Sequence, residues 1–210
     1  MSLPSARRAT AAVLTALIAA LIAALAVPVA AAAATYTFDP DHTEVRATWD
    51  HLGLSRQSGI VRKVEGNLEF DPAAPQASRV SVRMAVRDLA TGVAALDRHL
   101  VETGDYFDAA AHPDITFVST EVAPTSPTTA NVTGNLTING ITKPVVLVVT
   151  LNFHGEHPLA GINPNYQGQT VAGFSGRAQI LRSEWGLTRT IPLVSDEIRI
   201  LIEAEVLQAR

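Results

Sequence analysis

Residues 131–151 read NVTGNLTINGITKPVVLVVTL, and their patterning decides the fold class. In the first leg Val132, Gly134, Leu136 and Ile138 share one face, and Thr133, Asn135 and Thr137 share the other. Asn139-Gly140 then supplies the pair that a tight hairpin turn demands, because its central residues need positive φ. The return leg, Val145 to Leu151, is apolar at nearly every position. A leg with a wet face pairs with one that has almost none. This predicts a strand lining an apolar interior, its outer face covered by a helical segment or a second subunit.

The same period of two recurs along the chain. Val45, Ala47 and Trp49 alternate with Glu44, Arg46 and Thr48. Val64, Gly66, Leu68 and Phe70 alternate with charged or amide residues, and Val80, Val82, Met84 and Val86 with Ser81, Arg83, Ala85 and Arg87. Ile198, Ile200, Ile202, Ala204 and Val206 do so near the end. Each reads as a strand with one apolar and one solvated face. With 115–120, the hairpin and 171–181, about eight strands result, the number at which a closed antiparallel barrel holds one small ligand. Residues 93–111 alone break the pattern, predicting a short helix over 93–102 and a second helical turn around Tyr106 and Phe107. The fold class expected is therefore all-β, an eight-stranded antiparallel barrel with one short helical segment.

The first 34 residues are set apart. Arg7 and Arg8 precede an Ala/Leu/Ile run from Ala11 to Val27, then Pro28 and a small-residue stretch, the order of a secretory signal peptide. Residues 35–210 are then the barrel domain, periplasmic or secreted, with no transmembrane span once the signal is cleaved. Without Arg7 and Arg8 the 16 basic residues fall to 14 against 20 acidic, a net charge of about −6. Such a chain has no electrostatic reason to bind nucleic acid. It contains no cysteine, so disulfides, thiolate nucleophiles and Cys-ligated metals are excluded.

Catalytic motifs are weak. HGEH at 154–157 puts two histidines three apart around Gly155, whereas two ligands share a helix face only at spacing four. It reads as a solvated loop. GFSG at 173–176 resembles a nucleophile elbow but has Arg177 where the second glycine belongs. The sequence predicts a pocket without catalytic groups, without a metal and without a cofactor other than a bound lipid.

Several segments resemble the YceI-like family in order. They are FDPDHTEVRATWDHLGLSRQSGIVRKVEGNLEFDP (38–72), LDRHLVETGDYFDAAAHPDITFVST (96–120), GNLTINGITKPVVLVV (134–149), GFSGRAQILRSEWGL (173–187) and DEIRILIEAE (196–205). The resemblance spans residues 36–206. It implies a lipocalin-like barrel outside the cytoplasm that holds an extended apolar molecule, a polyisoprenoid, an isoprenoid quinone or a fatty-acid derivative. Thr43 stands where the family has Ser, and Trp185 where Phe or Tyr is commoner. The energetics are adequate, since burying ten methylenes at ~0.8 kcal/mol each yields about 8 kcal/mol before ordering costs.

The inward residues expected to touch the lipid are Trp49, Phe70, Met84, Val86, Phe117, Leu136, Phe174, Ile180 and Ile200. The polar residues expected at the mouth or head group are His42, His51, Asp97, His99 and Arg182. Two rival functions differ in class. One is a lipid-modifying enzyme using His99 with Asp97 or His51, although spacing two on a helix sends side chains to different faces. The other is a homodimeric interaction module built on Val145 to Leu151.

Overall fold

The computed structural model describes residues 33–209. The expected signal peptide falls, but for its last two residues, outside them. Ten strands are described: β1 (Ala34–Phe38), β2 (Glu44–His51), β3 (Ser55–Val61), β4 (Glu65–Phe70), β5 (Arg79–Ala85), β6 (Asp114–Pro124), β7 (Thr129–Ile138), β8 (Ile141–Glu156), β9 (Thr170–Leu181) and β10 (Glu197–Gln208). One helix, α1 (Ala94–Glu102), lies between β5 and β6.

Eight of the strands close a ring in the order β1-β4-β5-β6-β7-β8-β9-β10, with β10 returning to β1. All the pairings are antiparallel. The long strand β10 serves two partners along one edge. Val206 to Gln208 pair with β1, and Arg199 to Glu203 pair with β2. The β2–β3 hairpin thus extends the wall at one end, and Ile60 of β3 bridges to Ala90. Ala33–Arg210 forms one compact unit, and the ring and its apolar clusters lie within it.

Register explains the quoted hairpin. Val145, Leu147, Val149 and Leu151 of β8 point inward, opposite Gly134, Val132 and Ala130 of β7. Gly134 is required by a close approach: a Cβ there would stand 2.3 Å from the Phe117 ring. The expected helical cover over the outer face does not form. Helix α1 instead lies across one end of the barrel, where Leu96 and Leu100 face the interior, and Val146 stays 49% exposed. The second helical turn does not form around Tyr106 and Phe107. Residues 103–108 are bends and irregular backbone, tied back to the helix by Phe107 N–H donating to Leu100 O at 2.9 Å, and one turn closes later, where His112 N–H donates to Asp108 O at 2.6 Å.

The two ends differ. At the helical end Trp185, almost wholly buried, packs with Leu136, Ile138, Val145, Ile180 and Leu187, and its Nε1–H donates to Leu136 O at 3.2 Å. At the other end Tyr36, Phe70, Ala172 and Val206 form a plug. Phe70 meets the rings of Tyr36, His154 and Phe174 edge-on, at 5.4 to 6.1 Å between centroids. HGEH is therefore not the loop expected. His154 to Glu156 end β8, paired with Thr170 to Ala172, and the His154 ring shares a 3.0 Å hydrogen bond with the Tyr36 hydroxyl.

Candidate functional site: a cavity along the barrel

The inward faces leave between them a cavity of about 600 Å³. That lies within the ~300–1,000 Å³ range of small-molecule sites. It runs from α1 at one end to the β6–β7 hairpin at the other, where Pro124, Pro127 and Thr128 contribute to its wall. The wall is apolar for most of that length because each strand contributes every second residue, and those residues are aliphatic or aromatic.

Trp49, Phe70, Met84, Val86, Phe117, Leu136, Phe174, Ile180 and Ile200 all line it. The expected lipid contacts left out the inward β8 set, and also Val61, Val132 and Ile202, although these too are cavity wall. Their signal was present: once Leu136 is inward, pairing places Val145, Leu147 and Val149 inward with it.

The five polar residues divide. His51 and Arg182 line the cavity at the helical end, and both meet Val194, His51 through a backbone bridge and Arg182 by donating to its carbonyl at 3.0 Å. His42, Asp97 and His99 do not line it. His42 is exposed on the outside, with Nδ1 3.1 Å from Asp39 Oδ2. The Asp97 carboxylate accepts from the Thr91 N–H at 2.7 Å and from its hydroxyl at 2.5 Å, stapling the approach to α1. His99 lies edge-on to Tyr106, 5.5 Å between ring centroids. Among the described residues no hydrogen bond joins Asp97, His99 and His51.

Among the described residues Arg182 is the one buried cation in the wall. Its guanidinium donates to the carbonyls of Ser195 (2.9 Å), Arg189 (2.9 Å), Val194 (3.0 Å) and Leu187. Burial pushes its pKa down, opposed by Tyr106 and by Asp196. An arginine remains charged in any case, so a positive charge sits beside an apolar space.

Ser175 of GFSG faces outward and donates to Glu203 Oε2 at 2.6 Å, so it presents no nucleophile to the cavity. The grouping of metal-capable side chains found among the described residues is Asp39, His42 and Glu205, on the outer surface and away from the cavity. No described helix is long and apolar enough to cross a membrane.

The YceI-like domain model matches residues 36–206. A UPF0312 protein of Azotobacter vinelandii is 33% identical over 177 residues, 83% of this chain and 88% of that protein. One from Pseudomonas savastanoi is 36% identical over 159 residues, 75% and 78% of the two chains. Among solved structures, BcnA of Burkholderia cenocepacia superposes with a TM-score of 0.69 at 25% identity, covering 80% of this chain and 98% of that one. The YCEI protein of Campylobacter jejuni gives 0.65 at 27%, covering 77% and 90%. A polyisoprenoid binding domain from Saccharophagus degradans shares the fold, with a TM-score of 0.57 at 8% identity and coverage of 84% and 99%.

Proposed function

The chain belongs to the YceI-like domain family, and from that premise we propose that it carries one long apolar chain of isoprenoid, quinone or acyl type inside the barrel, outside the cytoplasm. The observation that carries this reading is the cavity itself, elongated and walled by aliphatic and aromatic side chains. A chain of about ten methylenes buried there gains about 8 kcal/mol before ordering costs, and each further methylene adds about 0.8 kcal/mol, so a long chain binds without many polar contacts. Met84 and the aromatic residues Trp49, Phe70, Phe117 and Phe174 form the adaptable part of the wall. His51, at the helical end, is the group to meet a polar head, with the positive charge of Arg182 beside it. Export is the reading of the basic, apolar and small-residue order at the N-terminus.

A binding role is preferred to catalysis because the candidate acid–base groups are dispersed. Proton transfer needs groups within hydrogen-bond reach of each other and the substrate. Asp97 and His99 do not line the cavity and have separate partners, Thr91 and Tyr106. A second reading, a homodimer through the outer face of β8, has Val146 and Val148 in its favour, both exposed valines. Sedimentation at micromolar concentration tests it, and a monomer removes it.

The test of the main reading is native mass spectrometry of protein from its natural producer, followed by solvent extraction. We expect a co-purifying isoprenoid or acyl species, lost when the lumen is filled by Met84→Trp on β5 or Val149→Phe on β8. Two filling variants from different walls guard against a misfolded one. An unliganded protein that also fails to take up prenyl or acyl chains overturns the carrier reading.

A further inference from the structure

Two hairpins of the barrel each turn on a residue and a glycine at positive φ, one through a two-residue loop and the other through a three-residue loop. Asn139 and Gly140 take φ of 49° and 73°, while Leu52 and Gly53 take 56° and 69°. Leu54 N–H closes the second turn on His51 O at 2.9 Å. Asparagine tolerates the left-handed region; a leucine there sets its Cβ against the following carbonyl. Packing does not explain the choice, since Leu52 is 46% exposed and Leu54 is 82% exposed. The Leu52 N–H donates to Leu193 O at 2.7 Å, and Leu193 is itself 63% exposed. Three leucines from two loops thus stand together in solvent.

Their place is specific. His51 and Val194, the chain neighbours of Leu52 and Leu193, line the cavity, and Gln57, exposed on the same hairpin, lines it too and marks an opening. At the far end the exposed Leu159 and Ile162 belong to the 157–169 loop, none of whose residues lines the cavity, and the β6–β7 hairpin tip, exposed and lining it, carries prolines, serine and threonine. Among the described residues, exposed loop leucines adjoin the cavity wall at the helical end. The neighbouring basic residues Arg56 and Arg189 are paired with Asp50 and Asp105.

We propose that Leu52, Leu54 and Leu193 form a docking edge that enters the surface of a lipid bilayer and sets the helical-end opening against it. This rests on the carrier reading of the cavity. A chain soluble only in membrane forfeits in water what burial gains it, and an opening pressed to the bilayer removes that step. With the flanking arginines paired, contact draws on apolar insertion more than on anionic headgroups.

The test uses Ala33–Arg210, which contains the whole ring and core and corresponds to nearly the entire chain of the crystallised relative BcnA. It is mixed with phosphatidylcholine vesicles, with and without phosphatidylglycerol. Flotation is read, because Trp49 lines the cavity and its quenching would report uptake of a brominated chain as well as docking. We expect vesicle binding that is indifferent to lipid charge and falls about tenfold or more in Leu54→Asp/Leu193→Asp. Uptake of a fluorescent acyl chain added from ethanol should not change, since neither leucine lines the cavity. Equal vesicle binding by both proteins, or none by either, with ethanol-delivered uptake intact, overturns docking and leaves the carrier reading standing. A dimer that the double variant dissociates assigns the edge to a second copy and overturns it as well. Failure to take up the chain from any source removes the carrier reading, and docking with it.

Discussion

Arg182 shows how a single residue can hold one end of a barrel. Its side chain is almost wholly buried, yet its bonds go to four main-chain carbonyls of the 187–195 segment rather than to a carboxylate. The planar fork suits this, because its donors diverge in fixed directions toward several acceptors. Removing it leaves the carbonyls of Leu187, Val194 and Ser195 short of a donor, while Arg189 O keeps the Thr190 hydroxyl, and buried acceptors left unmet at about 1–3 kcal/mol each sum to a loss of several kcal/mol. Arg182→Met is therefore expected to lower the unfolding free energy by roughly that amount, read as a fall in the urea midpoint. Arg182→Lys should recover little, since an ammonium cannot reach all four acceptors. A midpoint like that of the parent in Arg182→Met would show that the segment closes without it. Sequence identified Arg182 as a polar residue of interest, but not that its donors are consumed by carbonyls up to thirteen positions away. Likewise His42, Asp97 and His99 stood out by type, while their partners Asp39, Thr91 and Tyr106 depend on turns that alternation does not encode.

At the scale of elements, strands were legible where one face is dry over the whole length. β5, β7, β9 and β10 satisfy that, and their alternation matches their pairing. β3 does not. Ser55, Arg56 and Gln57 are exposed, and only Gly59 and Val61 reach the packed interior, so half of the strand carries no apolar signal. β1 is five residues long, too short for its period to register. In HGEH, Gly155 suggested a loop, yet β9 supplies main-chain partners that make it strand. The hairpin turns yield a prediction of their own. A non-glycine residue other than Asn or Asp in the left-handed region costs about 1–2 kcal/mol. Leu52→Asn gives the β2–β3 turn the pair found at 139–140 and should stabilise the protein by about 1 kcal/mol. Thermal unfolding measures it. Unchanged or lowered stability would mean that the leucine has packing value its exposure does not reveal.

A closed barrel of eight strands followed from strand number and pattern, but with β2 counted in the ring where the structure has β1, and how the ring closes did not follow. Where β1 hands over to β2, the chain leaves β10 for residues 39–43, and Glu205 spans the gap: its carbonyl accepts from the Asp39 N–H at 2.9 Å and from the Thr43 hydroxyl at 3.2 Å. Over that seam lie the Asp39–His42 pair and the Glu205 carboxylate. The hydrogen bond with Asp39 and that carboxylate's charge raise the His42 pKa, helped by Glu205 and Asp41. Burial pushes Asp39 up, but hydrogen bonds from the His42 ring and the Asp41 and His42 N–H groups, with the His42 charge, outweigh it and hold Asp39 below its ordinary value. The signs follow by linkage. A raised histidine stabilises the fold fully below its ordinary pKa of about 6.5, and the gain is lost as pH rises through the folded value. A lowered aspartate stabilises above about 3.9, and that gain is lost as pH falls through its folded value. The pair therefore contributes most between about pH 4 and 6.5 and fades as pH rises through the raised value of His42. His42→Gln, neutral and similar in shape, should be less stable than the parent at pH 6 and equal to it at pH 8.5, as compared by urea midpoints. Because His42 is exposed, molar salt should narrow the difference at pH 6. Parallel curves for the two proteins across that range would leave the seam to its main-chain bonds alone.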